Sequence, residues 1–266
     1  MSALTTLTAE AVRDASRRRI VAVVVVMSLL SLFFVDGCTS CAAGEITING
    51  EDHSLQKIGG VTGALLFGTL GLWIVFLAGV LAADHLQESL EDGAANLTLA
   101  RPVSRDEFVV ARLLGALVVA GGTALVLLGV AALLLYQRSG LAPGPALLAA
   151  LGCGVSAFTL GALGMLASLW LPRLAAILAV AAGLAVMTLA NSLALFVEPE
   201  NGGALDWIHQ WGPPLASTLW LPLLAWVPEA APLADDSTGV ALRALGWAGI
   251  AIAGLLVTFR RTELGR

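Results

Sequence analysis

The sequence predicts an all-α polytopic membrane protein, a single domain over residues 1–266 with six transmembrane helices and both termini cytoplasmic. Three observations carry this reading. Of 266 residues, 58% are hydrophobic and only 12% are charged, whereas an ordinary soluble domain is roughly 25% charged. Six apolar runs approach the ~20 residues that cross a hydrocarbon core as a helix. All ten prolines fall outside those runs, where they break no helical ladder.

The runs follow in order. The first covers 20–35 and is short; the second covers 61–83 and the third 109–136. The fourth covers 146–171, the fifth 174–197 and the sixth 240–259. On the fourth, Ala157 with Gly161 and Gly164 with Ser168 form two small-x-x-x-small pairs. Such pairs let helices approach closely, within one chain or between subunits.

Basic residues set the orientation. With the N-terminus inside, eleven of the fourteen Lys and Arg residues lie inside, and only Lys57, Arg138 and Arg243 lie outside. The long outer connection, 198–239, has no basic residue. Ser16-Arg17-Arg18-Arg19 before an apolar run has the outline of a twin-arginine signal, but positive-inside anchoring accounts for the same residues. The stretch ending at Cys38 has the outline of a lipoprotein cleavage box, which Asp36 fits poorly.

The membrane interior excludes several functions. No charged residue lies between Arg112 and Arg138, between Arg138 and Arg173, or between Arg173 and Glu198. Proton-coupled carriers and ion pumps normally keep such a group at mid-depth. No H-E-x-x-H occurs, and His53, His85 and His209 are isolated near span ends or in loops, read as solvated or interfacial side chains. No G-x-x-x-x-G-K-[ST] loop occurs either. The energy for any work therefore comes from another chain.

The inner connection reads "ADHLQESLEDGAANLTLARPVSRDEFVVARLLG", from Ala83 to Gly115. Asp84 stands near a helix start, with Leu86 and Leu90 among acids and amides, and Asp92-Gly93 predicts a break. Pro102 forces Arg101 out of helical geometry. Ser104 and Glu107 form the capping-box pattern S-x-x-E, so a new helix is expected from Ser104 into the third span.

This segment resembles the cytoplasmic segment of ABC-2-type transporter permeases. The resemblance rests on Glu91, Gly93, Ala100-Arg101-Pro102-Val103-Ser104-Arg105, Glu107 and Gly115. Upstream, "LTAEAVRDASRRRIV" is similar to the family's N-terminal segment, an amphipathic piece over 1–19 ending in basic residues. The likeness covers 8–116 and includes permeases of the nitrous-oxide-reductase maturation and gliding-motility types.

The resemblance implies a bacterial inner-membrane permease, an exporter by family habit. Two such subunits, identical or related, would pair and bind a separate cytoplasmic ATPase that carries the ATP and Mg. The chain itself would hold no cofactor, contact membrane lipids and bind no nucleic acid. Segment 84–108 would couple to the ATPase, through Glu88, Glu91, Asp92, Arg101, Pro102, Ser104, Arg105 and Glu107. Glu88, Glu91, Asp92 and Asp106 suit basic partners on the ATPase or on the N-terminal segment. Alternatively, Arg101 and Arg105 only anchor the loop or meet lipid phosphates. A scaffold without a transport cycle is the rival function. The apolar bundle suits hydrophobic cargo, or force transmission without cargo.

On the outer side, Cys38 and Cys41 form C-x-x-C, which suits a disulfide or, less well, a metal, with free thiols as the remaining alternative. A thiol- or metal-handling role is the third function they leave open. Cys153, in an apolar span, reads as packing. The connection "DWIHQWGPPLASTLWLPLLAWVP" carries Trp207, Trp211, Trp220 and Trp226. Tryptophan at this density marks a lipid–water interface. Its prolines interrupt any span, so an interfacial or re-entrant segment is expected, either a gate or a membrane-skimming loop.

Overall fold

The computed structural model describes residues 3–41, 47–48, 51–52, 55–91, 103–196, 204–227 and 237–261. Among these the chain is helical, apart from one antiparallel pair, β1 (Thr47–Ile48) with β2 (Glu51–Asp52). The helices are α1 (Ala3–Ser16), α2 (Arg19–Cys41), α3 (Leu55–Glu91), α4 (Arg105–Ser139) and α5 (Pro143–Ser168). Then come α6 (Arg173–Phe196), α7 (Ala204–Trp211), α8 (Ser217–Leu223) with a 3-10 turn (Leu224–Trp226), and α9 (Ser237–Arg261).

Five stretches among the described residues are long and apolar enough to cross a membrane: Gly59–Glu91, Arg105–Ser139, Pro143–Ser168, Arg173–Asn191 and Thr238–Arg261. They match the second to sixth expected spans. The first expected span falls within α2, where Val21–Leu30 is a shorter apolar helix.

Helix α3 is the axis of the bundle. The most apolar window of its span is 72% buried, against 22% for α4 and for α9, so α3 serves as core while those two mostly face outward. It packs on α2, α4, α5, α6 and α8. At 37 residues it is one unbroken helix, about 55 Å long at 1.5 Å per residue. The expected new start near Asp84 does not occur. No Gly or Pro stands between Ala83 and Glu91; the change there is in polarity, which does not by itself end a helix.

Two apolar clusters stack along this axis. Phe67, Leu70, Ile74, Leu160, Leu219 and Trp226 belong to the one at the α8 end. Leu81, Leu86, Phe108, Met165, Leu255 and Phe259 belong to the one at the α1 end. Between them α3 and α5 come within backbone contact. A Cβ built on Gly164 would stand 2.7 Å from the Gly79 carbonyl oxygen. The small residues of the fourth span are thus used inside the chain. Gly164→Val is expected to cost about 1–3 kcal/mol by overpacking, read as a lowered unfolding midpoint in detergent; an unchanged midpoint would contradict this packing.

The α4–α5 turn is fixed by Gly140, whose φ of 63° is left-handed and whose N–H donates to the Tyr136 carbonyl. Pro143 opens α5 at its first turn, where no intrahelical donor is lost.

Candidate functional site

The chain's polar chemistry gathers at the α1 end. The expected capping box is present. Ser104 Oγ accepts from the Glu107 N–H at 3.2 Å, and Glu107 Oε2 accepts from the Ser104 N–H at 2.9 Å. Helix α4 therefore begins at a fixed point, before the apolar run at Val109. The first turn is also tied to the end of α9. Arg260 Nε donates to the Asp106 carboxylate at 2.9 and 3.1 Å. Arg105 donates to the Arg260 carbonyl at 3.3 Å, and Phe108 stacks on Phe259. Asp106, read from sequence as a partner for the ATPase or the N-terminal segment, thus pairs with the last helix.

Ser104, Asp106 and Glu107 precede the apolar run that starts at Val109, and Arg260 follows the apolar run of α9. The hydrogen bond from Arg260 holds the Asp106 carboxyl below the usual carboxylate range. The backbone bond from Ser104 does the same for Glu107. Both ties therefore hold above that range and are lost as pH falls through the lowered values beneath it. In Arg260→Gln, carboxyl NMR should show Asp106 titrating at higher pH than in the unaltered protein.

A second, more buried cluster lies where α1, α3, α4 and α6 meet. Arg18 stands in the two-residue joint between α1 and α2. Its guanidinium donates to Asp84 Oδ2 at 2.9 Å, meets Asp14 at 3.1 Å and contacts Glu88. The other oxygen of Asp84 accepts from Arg173 Nε at 2.5 Å. Next along α3, His85 is buried, with Arg112 donating to Nε2 at 2.9 Å. Nε2 is thus the acceptor and Nδ1 carries the hydrogen, facing an Asp14 oxygen at 3.1 Å. Arg112 also lies 5.4 Å over the Phe108 ring.

The sequence reading is corrected here at two points. His85 is not a solvated side chain but 1% exposed, inside a ring of charges. Asp84, Arg18, Arg112 and Arg173, read as helix or topology markers, form the cluster itself. The expected partnership of Glu88 with the N-terminal segment is present, through Arg18. Glu91 accepts from Gln87 at 3.2 Å. Asp92, Arg101 and Pro102 lie outside the described residues.

Helix α1 is pressed onto α4. A Cβ on Gly115 would stand 2.4 Å from Ala11 Cβ, so α1 can lie this close only because position 115 has no side chain. Ala11 and Ala15 are fully buried there.

At the opposite end, α8 is sunk into the bundle, and residues 213–219 are all buried. Ser156 donates to the Leu215 carbonyl at 3.1 Å and shares a 2.7 Å bond with Thr218. A Cβ on Gly152 would stand 2.2 Å from the Thr218 carbonyl. The four tryptophans divide. Trp207 and Trp211 are exposed on α7. Trp226 is buried, donates to the Ala142 carbonyl at 3.0 Å and meets Phe67 edge-on. Trp220 lays its ring on Gly68. A groove of about 750 Å³ opens between α4 and α5, floored by Phe67 and Ile74, and no charged side chain lines it.

The side chains of Cys38 and Cys41 lie outside the described residues; both positions fall in α2. Among the described residues no His, Cys, Asp and Glu group could hold a metal. Cys153 is buried against the Gly71 carbonyl, as packing requires.

A sequence model of the ABC-2 family transporter proteins matches residues 8–217. The chain belongs to this ABC-2 transporter family. It is a multi-pass membrane protein of the permease type, and such permeases are membrane subunits rather than catalysts. No curated protein matches it. The ABC-2 match takes in α1 from Thr8 onward, the charge cluster and the first residue of α8, well beyond the 8–116 on which the sequence resemblance rests.

Proposed function

We propose that this chain is the transmembrane subunit of an ATP-driven exporter, worked by a separate cytoplasmic ATPase docked on segment 84–108. The observation that carries the reading is that this segment leaves and rejoins the bundle at two anchored points. Glu88 is held by Arg18 on one side. Ser104, Glu107 and Asp106 are held by the capping box and by Arg260 on the other. A segment anchored at both edges can pass a push into the helices, whereas a slack loop would absorb it.

The remaining assignments follow from that one. Helix α2 completes six spans, with both termini cytoplasmic in a bacterial inner membrane. The α1 end, rich in arginine, is the cytoplasmic end. Helices α7 and α8 form an outer cap, α7 interfacial and α8 re-entrant. Two copies pair around the path. The uncharged groove between α4 and α5 supports a hydrophobic cargo. ATP and Mg belong to the ATPase, and the charges of Arg101 and Arg105 contribute to docking it.

The test is affinity purification from the native membrane with gentle detergent. An ATPase should co-purify. Arg101→Glu with Arg105→Glu should lower its stimulation by the permease at least about tenfold, the loss of roughly 1.4 kcal/mol of coupling. Normal stimulation in the double variant would defeat the docking assignment. Absence of any ATPase would instead favour a scaffold.

A further inference from the structure

Asp84 occupies an unusual position. It stands seven residues before the end of α3 and its side chain is buried, so it is held inside the bundle while the rest of the docking segment lies beyond it. Its two oxygens are engaged by arginines from two different elements. Arg18 comes from the joint between α1 and α2, and Arg173 is the first residue of α6. These partners are 66 and 89 residues away in sequence. The adjacent His85 adds α1 through Asp14 and α4 through Arg112. One turn further on, Glu88 returns to Arg18.

An ion cluster built around a buried carboxylate, with its outer members Arg173 and Asp14 half-exposed, is poor glue. Desolvating its members costs as much as the pairing returns, and apolar replacements often match its stability. What such a cluster supplies is a stiff, directional linkage between elements. Packing contacts slide, but a carboxylate held on both oxygens does not follow one guanidinium without pulling on the other.

We propose that Asp84 is the positioning residue through which displacement of segment 84–108 reaches the bundle. This deepens the permease reading and rests on it. A push on the segment moves the end of α3. Asp84 then draws the α1–α2 joint through Arg18 and the root of α6 through Arg173. Three helices, α2, α3 and α6, turn together at their cytoplasmic ends. Segment 84–108 docks, and Asp84 transmits.

The experiment uses the permease–ATPase complex in nanodiscs, with spin labels at positions 13 and 174. Both side chains are exposed, and neither belongs to the cluster. Cys38 and Cys41 are replaced by serine, and the buried Cys153 is kept. Trapping with ATP and vanadate should shift the label–label distance in the otherwise unaltered complex and in Asp84→Glu. Asp84→Asn should keep the ATPase bound and lose the shift. Because a lone variant can misfold, the neutral set Arg18→Gln, Asp84→Asn and Arg173→Gln is measured beside it. It leaves no charge stranded on Asp84; of the other carboxylates that Arg18 serves, Asp14 keeps Arg112 and His85, and the Glu88 side chain is 34% exposed. The set should also hold the ATPase without the shift.

A full shift in Asp84→Asn or in the neutral set overturns the proposal while leaving the permease reading intact. The absence of a shift in the unaltered complex overturns it too. Failure of the unaltered chain to hold any ATPase sinks the reading beneath it, and the two failures are told apart by co-purification alone. A merely structural role for Asp84 would lower stability without separating ATPase binding from the distance change.

Discussion

Trp226→Ala is expected to lower stability by about 3–5 kcal/mol, the range for emptying a buried aromatic site. The ring is buried against Phe67, edge-on at 6.1 Å between centroids, which adds to simple burial. Its indole N–H serves the Ala142 carbonyl just ahead of α5. Its own backbone carbonyl occupies the space a side chain at Gly60 would need. The segment cannot sink further to close the void, because α3 already touches it there. Trp226→Phe keeps most of the ring and gives up the bond, so about 1 kcal/mol is expected. Trp207→Ala, on an exposed ring, should stay within about 0.5 kcal/mol. Reversible unfolding in mixed micelles measures all three. Equal losses at 226 and 207 would mean that α8 is not seated in the bundle.

That contrast shows what the sequence could not tell. In sequence the four tryptophans sit in one loop-like stretch and share one signature, that of an interface. Their division follows from where the chain turns after Pro213 and Pro214, and no periodicity records that turn. The capping box was legible because its chemistry spans three residues. The second to sixth spans were legible because apolar length is a local sum. Asp84 was visible only as a polar residue beside a span. Its partners come from the far ends of two other helices, and long-range ion pairing leaves no local pattern. A signal did exist: an Asp-His pair just past an apolar run, with Arg18 and Arg173 bordering other runs at the same level. Read together as one layer, rather than one by one as side markers, these residues suggest a cluster. Gly115 offered a similar hint. The resemblance marked it as a matching residue, but its reason, the seat for Ala11, needed the packing of α1.

Arg18→Ala carries the other large effect. Removing one partner of a buried pair typically costs about 3–5 kcal/mol, because the remaining charge is left uncompensated. Arg18 serves Asp84, Glu88 and Asp14 together, so its loss leaves three carboxylates near one another. Arg173 still holds one oxygen of Asp84, which limits the cost to the lower end, about 3 kcal/mol. The same change in an Asp84→Asn background should cost far less, since the most buried of those carboxylates is already neutral. That difference is the coupling energy of a double-mutant cycle, read from unfolding midpoints of the purified protein. Additive losses would mean that Arg18 acts through its aliphatic stem against α1 and not through charge. The neutral set with Arg173→Gln should regain the part of that stability that belongs to Asp84, because the most buried carboxylate and its second guanidinium are then neutral, while Glu88 and Asp14 still lack Arg18. If that set is stable and holds the ATPase yet transmits no motion, the cluster's energetic and mechanical roles come apart. Its charges are then kept for the linkage between α3, the α1–α2 joint and α6, at a stability that neutral residues could match.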